Sequence, residues 1–169
     1  MSKKAILDVT CGSRTIWFNK NHPLAIYMDK RVEHCTGIWG GNQSMRSCDV
    51  DPDVVADFTN IPYEDNSFYL VVMDPPHLKS VGENAWLRKK YGRLDENWPM
   101  MIHDGFKECM RVLKSGGVLI FKWNEIQIPT RKIIDAIGKE PLFGHRSGKK
   151  MQTHWLCYMK TDGLICEED

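Results

Sequence analysis

Four aspartates in this 169-residue chain each close, or directly follow, a short apolar run: Asp8, Asp29, Asp57 and Asp74. One acid at a strand end is ordinarily a turn former or a cap. Four in series at the carboxyl ends of parallel strands line the crevice in which open α/β sheets bind their ligands. The first is followed by a tight turn, Asp8-Val9-Thr10-Cys11-Gly12, in which Gly12 lets backbone approach a ligand. This is not the glycine-rich turn that admits a pyrophosphate, which argues against a nicotinamide-dependent dehydrogenase. A nucleoside without phosphates needs less glycine. Asp29 then follows about twenty residues on, the spacing at which an acid accepts hydrogen bonds from both ribose hydroxyls.

The elements that must position these acids can be read from the apolar runs. Ala5–Val9, Leu24–Met28, Val54–Ala56, Phe68–Met73 and Val118–Trp123 read as five strands. They are continuous rather than alternating, as expected of parallel strands covered on both faces. A helix is expected over Pro99–Lys114, with Ile102, Phe106, Met110 and Leu113 as its inner face and Gly116–Gly117 as its stop. A second helix opens near Thr130 and closes at Gly138. Leu142–His145 and His154–Lys160 form a final antiparallel hairpin around Arg146-Ser-Gly-Lys-Lys150. Two stretches escape this alternation. Residues 31–52 have no clean period, and residues 78–98 form a long polar connection of the kind that serves as a lid or substrate loop. The expected architecture is α/β, a single domain over 1–169, with a mostly parallel sheet and a C-terminal antiparallel hairpin.

The ordered series Asp8-Val-Thr-Cys-Gly12, Asp29, Val55-Ala-Asp57-Phe58 and Asp74-Pro75-Pro76-His77 resembles that of the class I, Rossmann-like S-adenosylmethionine-dependent methyltransferases. The segment Arg111–Phe121 is similar to the family's helix–turn–strand entry into strand five. The resemblance covers roughly residues 5 to 160. It implies S-adenosylmethionine as cofactor. The turn of Asp8, Thr10, Cys11 and Gly12 would lie against its methionine part, Asp29 would hold the ribose, and Asp57 with Phe58 would contact the adenine. The departures are the glycine-poor turn and a very short first crossover helix.

Asp74-Pro75-Pro76-His77 resembles the (Asp/Asn/Ser)-Pro-Pro-aromatic motif of amino methyltransferases acting on adenine, cytosine or glutamine. That resemblance assigns catalysis to these four residues. An exocyclic amine is a poor nucleophile, because its lone pair is delocalised. The Asp74 carboxylate and the Pro75 carbonyl can accept its two N–H bonds and expose that lone pair. Two prolines fix the backbone, and the ring at 77 would stack on the base. His77 departs from the usual Tyr, Phe or Trp.

In the connection after the fourth strand, Trp86, Tyr91 and Trp98 are interleaved with Lys79, Arg88, Lys89, Lys90 and Arg93. That mixture suits stacking and phosphate contact on single-stranded nucleic acid. Lys79, Trp86, Arg88 and Tyr91 are the substrate-binding candidates. Glu83, Asp95 and Glu96 offset part of the charge, and a solvated lid packed back on the core is the competing reading. His145, Arg146, Lys149 and Lys150 make a second basic cluster. Lys122-Trp123-Asn124-Glu125 ends strand five beside the crevice, with Trp123 expected in the core and a substrate-positioning role open to its neighbours.

The net charge of +1 is not that of a protein that coats nucleic acid, so such contacts would come from local patches. No apolar run reaches membrane-span length and no signal-peptide pattern opens the chain, so a cytoplasmic site is the default. The six cysteines form no CxxC pair and no zinc-type spacing; His34, Cys35 and Cys48 come nearest, and no metal is expected. The leading function is methyl transfer to a nucleobase amine, N6 of adenine or N4 of cytosine, in DNA or RNA. A small-molecule or protein side-chain methyltransferase is the alternative, and a non-catalytic cofactor-binding module is the reading from another class. The chain has no room for a separate target-recognition domain, so a homodimer or a recognition partner would supply any sequence-specific reading of duplex.

Overall fold

The computed structural model describes residues 4–39, 44–147 and 152–164. Its seven-stranded sheet is built from β1 (Ile6–Asp8), β2 (Ala25–Asp29), β5 (Val54–Val55), β6 (Phe68–Met73), β7 (Leu113–Asn124), β8 (Phe143–Ser147) and β9 (Thr153–Met159). The order across the sheet is β5-β2-β1-β6-β7-β9-β8. β1 pairs in parallel with β2 on one side and β6 on the other. β7 continues the parallel set, and β9 and β8 close it as the expected antiparallel hairpin. Of that hairpin's turn, residues 148–151 lie outside the described residues.

Two long helices share one face. α2 (Trp98–Val112) and α3 (Thr130–Ile137) set Ile102, Phe106, Cys109, Val112, Ile133 and Ile137 against Leu7, Val71, Met73, Leu119, Phe121, Trp123, Leu156 and Tyr158 of the sheet. Each large apolar side chain buried there contributes about 1.5–3 kcal/mol over leaving it in water. Pro99 occupies the first turn of α2, where its missing N–H costs nothing. The helix ends at Val112, earlier than the glycine pair, and Gly116 and Gly117 lie inside β7. Gly117 is required there: a Cβ would stand 2.8 Å from the carbonyl oxygen of Lys114.

The opposite face corrects the expectation of a sheet covered on both sides. β7 alternates buried with half-buried residues instead of running buried throughout. Between β1 and β2, residues 9–24 form turns with no helix, so even a very short first crossover helix is absent. That loop packs Cys11 and Trp17 against Ala25 and Tyr27. Further along, Leu70, Val118, Ile120, Trp155 and Met159 of the same face stay only half-buried, and no helix among the described residues lies over them.

Within residues 31–52, β3 (Glu33–Trp39) and β4 (Ser44–Val50) pair antiparallel in a sheet of their own, apart from the main sheet. Its strands show no apolar stripe because little of them is buried: in β4 only Cys48 and Val50 are. The connection 78–98 holds a short helix, α1 (Trp86–Tyr91), with no buried residues of its own. Leu78 and Leu94, both buried, tie its two ends to the core, and the Leu94 N–H donates to the Leu78 carbonyl at 2.9 Å. No helix among the described residues is long and apolar enough to cross a membrane.

Candidate active site

The chain winds outward from β1 in both directions, so the carboxyl ends of β1 and β6 flank the switch point at which open α/β sheets bind ligands. A hydrogen bond crosses that gap: the Asp74 N–H donates to Thr10 Oγ1 at 2.7 Å. Asp8 sits beneath the turn, 1% exposed, accepting from the Thr10 N–H at 3.2 Å and from Trp17 Nε1–H at 2.7 Å. Burial pushes its carboxyl up to about 7, against the pull of those two donors. Asp8 therefore supports the turn from behind instead of forming cleft wall.

Two adjoining clefts open above. The first is lined by Thr10, Cys11, Gly12, Ser13, Thr15, Arg31, Asp74, Pro75, His77, Lys90 and Tyr91. The second shares Thr10, Arg31, Asp74 and Tyr91 and adds Val9, Asp29, Lys30, Phe58, Pro76, Gly92 and Arg93. Gly12 holds a left-handed φ of 49°, and a Cβ there would point into open space.

Asp29, 6% exposed, is already engaged. Its Oδ2 accepts the Gly12 N–H at 3.0 Å, and its Oδ1 accepts the Arg31 N–H at 3.0 Å and Arg31 Nε at 3.3 Å. A carboxylate has about four lone-pair sites, so these three bonds leave Asp29 room for one further donor rather than two. Phe58 reaches the second cleft because α2 lets it: a Cβ on Gly105 would lie 2.3 Å from Phe58 Cδ2. Asp57 is not on either wall. It accepts from Thr59 N–H and Oγ1 and pairs with Lys30 at 3.4 Å, and the Thr59 and Lys30 contacts together outweigh burial and hold its pKa below the usual range.

Lys122 is the strongest partner of Asp74. Its Nζ lies 2.6 Å from Asp74 Oδ2, and both side chains are 21% exposed. Burial raises the Asp74 pKa while Lys122 opposes it. Trp123, next along, is fully buried with Nε1–H donating to the Ile128 carbonyl at 2.9 Å. Glu125 turns away toward His154 and Thr130.

His77 lies between Tyr91, 5.4 Å away by ring centroids, and Trp123, at 6.4 Å. Burial, helped by Lys122, lowers its pKa to about 4, so the ring is a neutral aromatic wall at pH 7. Of the four substrate-binding candidates, Tyr91 alone lines the clefts, and of the other basic residues in that connection Lys90 lines the first cleft and Arg93 the second. Lys79 is exposed and held through its N–H by Gln127, Trp86 lies under Arg46, and Arg88 faces Glu83. Sequence reasoning missed Arg31, which bonds Asp29 and the Lys89 carbonyl, and did not single out Lys122 within its segment. Only register shows that residue 122 falls beside residue 74, because Met73 pairs with Phe121.

No protein-family model and no curated protein matches the sequence. Solved structures do share its fold. The PH0226 protein of Pyrococcus horikoshii superposes with a TM-score of 0.57 at 14% identity, over 94% of this chain and 82% of that one. A SAM-dependent methyltransferase of Methanosarcina mazei gives 0.53 at 14% identity, over 95% and 94% of the two chains. One from Thermotoga maritima gives 0.51 at 11% identity, over 95% and 83%. Identities this low speak for the fold, and the fold is the Rossmann-like one of methyltransferases.

Proposed function

We propose that the chain is an S-adenosylmethionine-dependent methyltransferase acting on an exocyclic amine of nucleobase type. The observation that carries this reading is the half-buried Asp74 carboxylate at the switch point, followed by two prolines and a neutral aromatic ring, at the junction of two clefts. The bound cofactor would supply an electrophilic sulfonium methyl carbon, whose bond to sulfur breaks in the transfer to leave a neutral thioether. The residues fit it. Asp29 keeps one lone-pair site for a ribose hydroxyl, Phe58 offers a flat wall for a purine, and the open space over Gly12 admits a chain lying along the turn. The glycine-poor turn matches a ligand that brings no phosphate.

Asp74 and the Pro75 carbonyl would accept the two N–H groups of the acceptor. That pulls the nitrogen toward a pyramidal shape and frees its lone pair, a gain made by positioning and electrostatics. The amine must shed one proton as its new N–C bond forms. Asp74 is the base in place, its basicity raised by burial and tempered by Lys122. His77 walls the acceptor without adding charge.

The reading is tested by tritium transfer from labelled cofactor to parallel pools of DNA, RNA, protein and small amines. Label in nucleic acid supports it. Label in the protein or small-molecule pool alone moves the acceptor to the second reading. Label in none removes the enzyme reading.

A further inference from the structure

The proposed active site opens onto the half of the sheet that no helix among the described residues covers. Asp74 at the end of β6 is bridged to Lys122 on β7. Lys122 is directly opposite Trp155 on β9, with its Nζ 5.8 Å from the Trp155 ring centroid. Trp155 is in turn directly opposite His145 on β8. Directly opposite residues share a sheet face. Asp74, Lys122, Trp155 and His145 therefore form one row across four neighbouring strands, starting at the carboxylate and ending in the basic hairpin. Trp155 is half-buried and His145 exposed.

We infer that this row is an acceptor platform for single-stranded nucleic acid, with Trp155 stacking a base and Lys122 acting as a specificity residue; the inference rests on the reading of Asp74 as the group that grips the acceptor. An indole left partly in water on a sheet face gains by being covered with a planar ring, and base–aromatic stacking tolerates any base. The Lys122 ammonium beside Asp74 suits an amine conjugated to a neighbouring acceptor atom, which adenine and cytosine present and an alkylamine does not. A protonated alkylamine would meet the like charge of Lys122. His145, at the far end, lies where the strand's phosphates would leave the site.

Three measurements on the full chain test this. The first is anisotropy titration with a labelled mixed-sequence single-stranded DNA. Trp155→Ala is expected to weaken binding on the order of tenfold, Trp155→Phe to restore most of it, and calorimetric affinity for S-adenosylmethionine to stay unchanged in both. The second needs no variant: photo-crosslinking of a 5-iodouracil strand to the wild-type protein is expected to mark the peptide holding residues 153–159. Wild-type affinity in Trp155→Ala, no binding by the wild type, or crosslinks confined to other segments would each overturn the platform. In the third, wild-type transfer of label to histamine with none to oligonucleotides would overturn the role of Lys122. Tight, Trp155-dependent binding without methyl transfer would leave the platform standing and sink the assignment of Asp74.

Discussion

Lys122 Nζ stands 2.6 Å from Asp74 Oδ2 across two adjacent parallel strands, and this contact opposes the burial that raises the carboxyl's pKa. Removing the cation leaves burial unopposed. Lys122→Met is expected to raise the Asp74 pKa further and move the acid limb of the kcat/KM–pH profile to higher pH. The protonated carboxyl loses an acceptor, so activity falls on the acid side. A profile that overlays the wild type would show that Lys122 does not govern Asp74.

Asp74→Asn keeps the shape of the side chain but replaces one acceptor oxygen by a donor. It is expected to lower turnover by roughly 10²–10⁴-fold, the usual worth of a positioned base. Cofactor affinity should stay close to that of the wild type, since Asp29 and Phe58 are untouched. Single-turnover transfer and calorimetry separate the two effects.

Asp29→Ala removes the acceptor of the Gly12 N–H as well as the proposed ribose contact. Hydrogen bonds to a charged group are worth about 1.5–3 kcal/mol, so cofactor affinity should drop by roughly one to two orders of magnitude. Calorimetry at constant ionic strength reads this directly. Unchanged affinity would remove Asp29 from the site.

Gly105→Ala drives a methyl group into the Phe58 ring, 2.3 Å from its Cδ2. Overpacking of this kind costs about 1–3 kcal/mol. Both Tm and cofactor affinity are expected to fall, since the displaced ring is the proposed purine wall. A helix-interior Gly→Ala change that stabilised the protein instead would mean the ring yields freely.

Asp8 ties stability to pH. Unfolded, it titrates near 3.8; folded, near 7. The folded state holds the extra proton between those values. Its contribution is complete below about 3.8 and is lost as pH rises through about 7. Asp8→Asn abolishes that dependence. The gap in unfolding free energy between wild type and variant should therefore change with pH in the variant's favour, by up to about 1.4 kcal/mol per unit. Denaturant titrations at pH 4, 5.5 and 8 measure it, and parallel curves would show that Asp8 is not buried as described.

Where the fold is governed by burial, the sequence revealed it. Phe68–Met73 stood out as an unbroken apolar run, and the helix through Ile102 and Phe106 because it buries a face of helical period. The β3–β4 hairpin did not, because it buries so little that no apolar alternation was selected. At the site, the acids at strand ends were legible because their place follows from the strand before them. Which of them face the ligand was not. Asp8 and Asp57 are turned away by Trp17, Thr10, Thr59 and Lys30, and such contacts leave no mark in spacing. Lys122 and Arg31 became visible only through the register of neighbouring strands and the fold-back of residues 86–93.

Beyond the Trp17–Asp8 and Gly12–Asp29 bonds, one guanidinium gathers the loop that follows β1. Arg14, at a φ of 53°, reaches the Lys20 carbonyl, Asn21 Oδ1, the Asp51 carbonyl and the Asp53 carboxylate, and lies 3.9 Å over the Tyr27 ring. A helix in that place would carry a ladder of amide bonds that yields rung by rung. A loop held at a few side-chain points, with no ladder between them, opens as a unit. Backbone amides of residues 13–21 should thus exchange with deuterium together and well before those of β6 and β7, leaving the rim of the ligand crevice softer than the sheet beneath it.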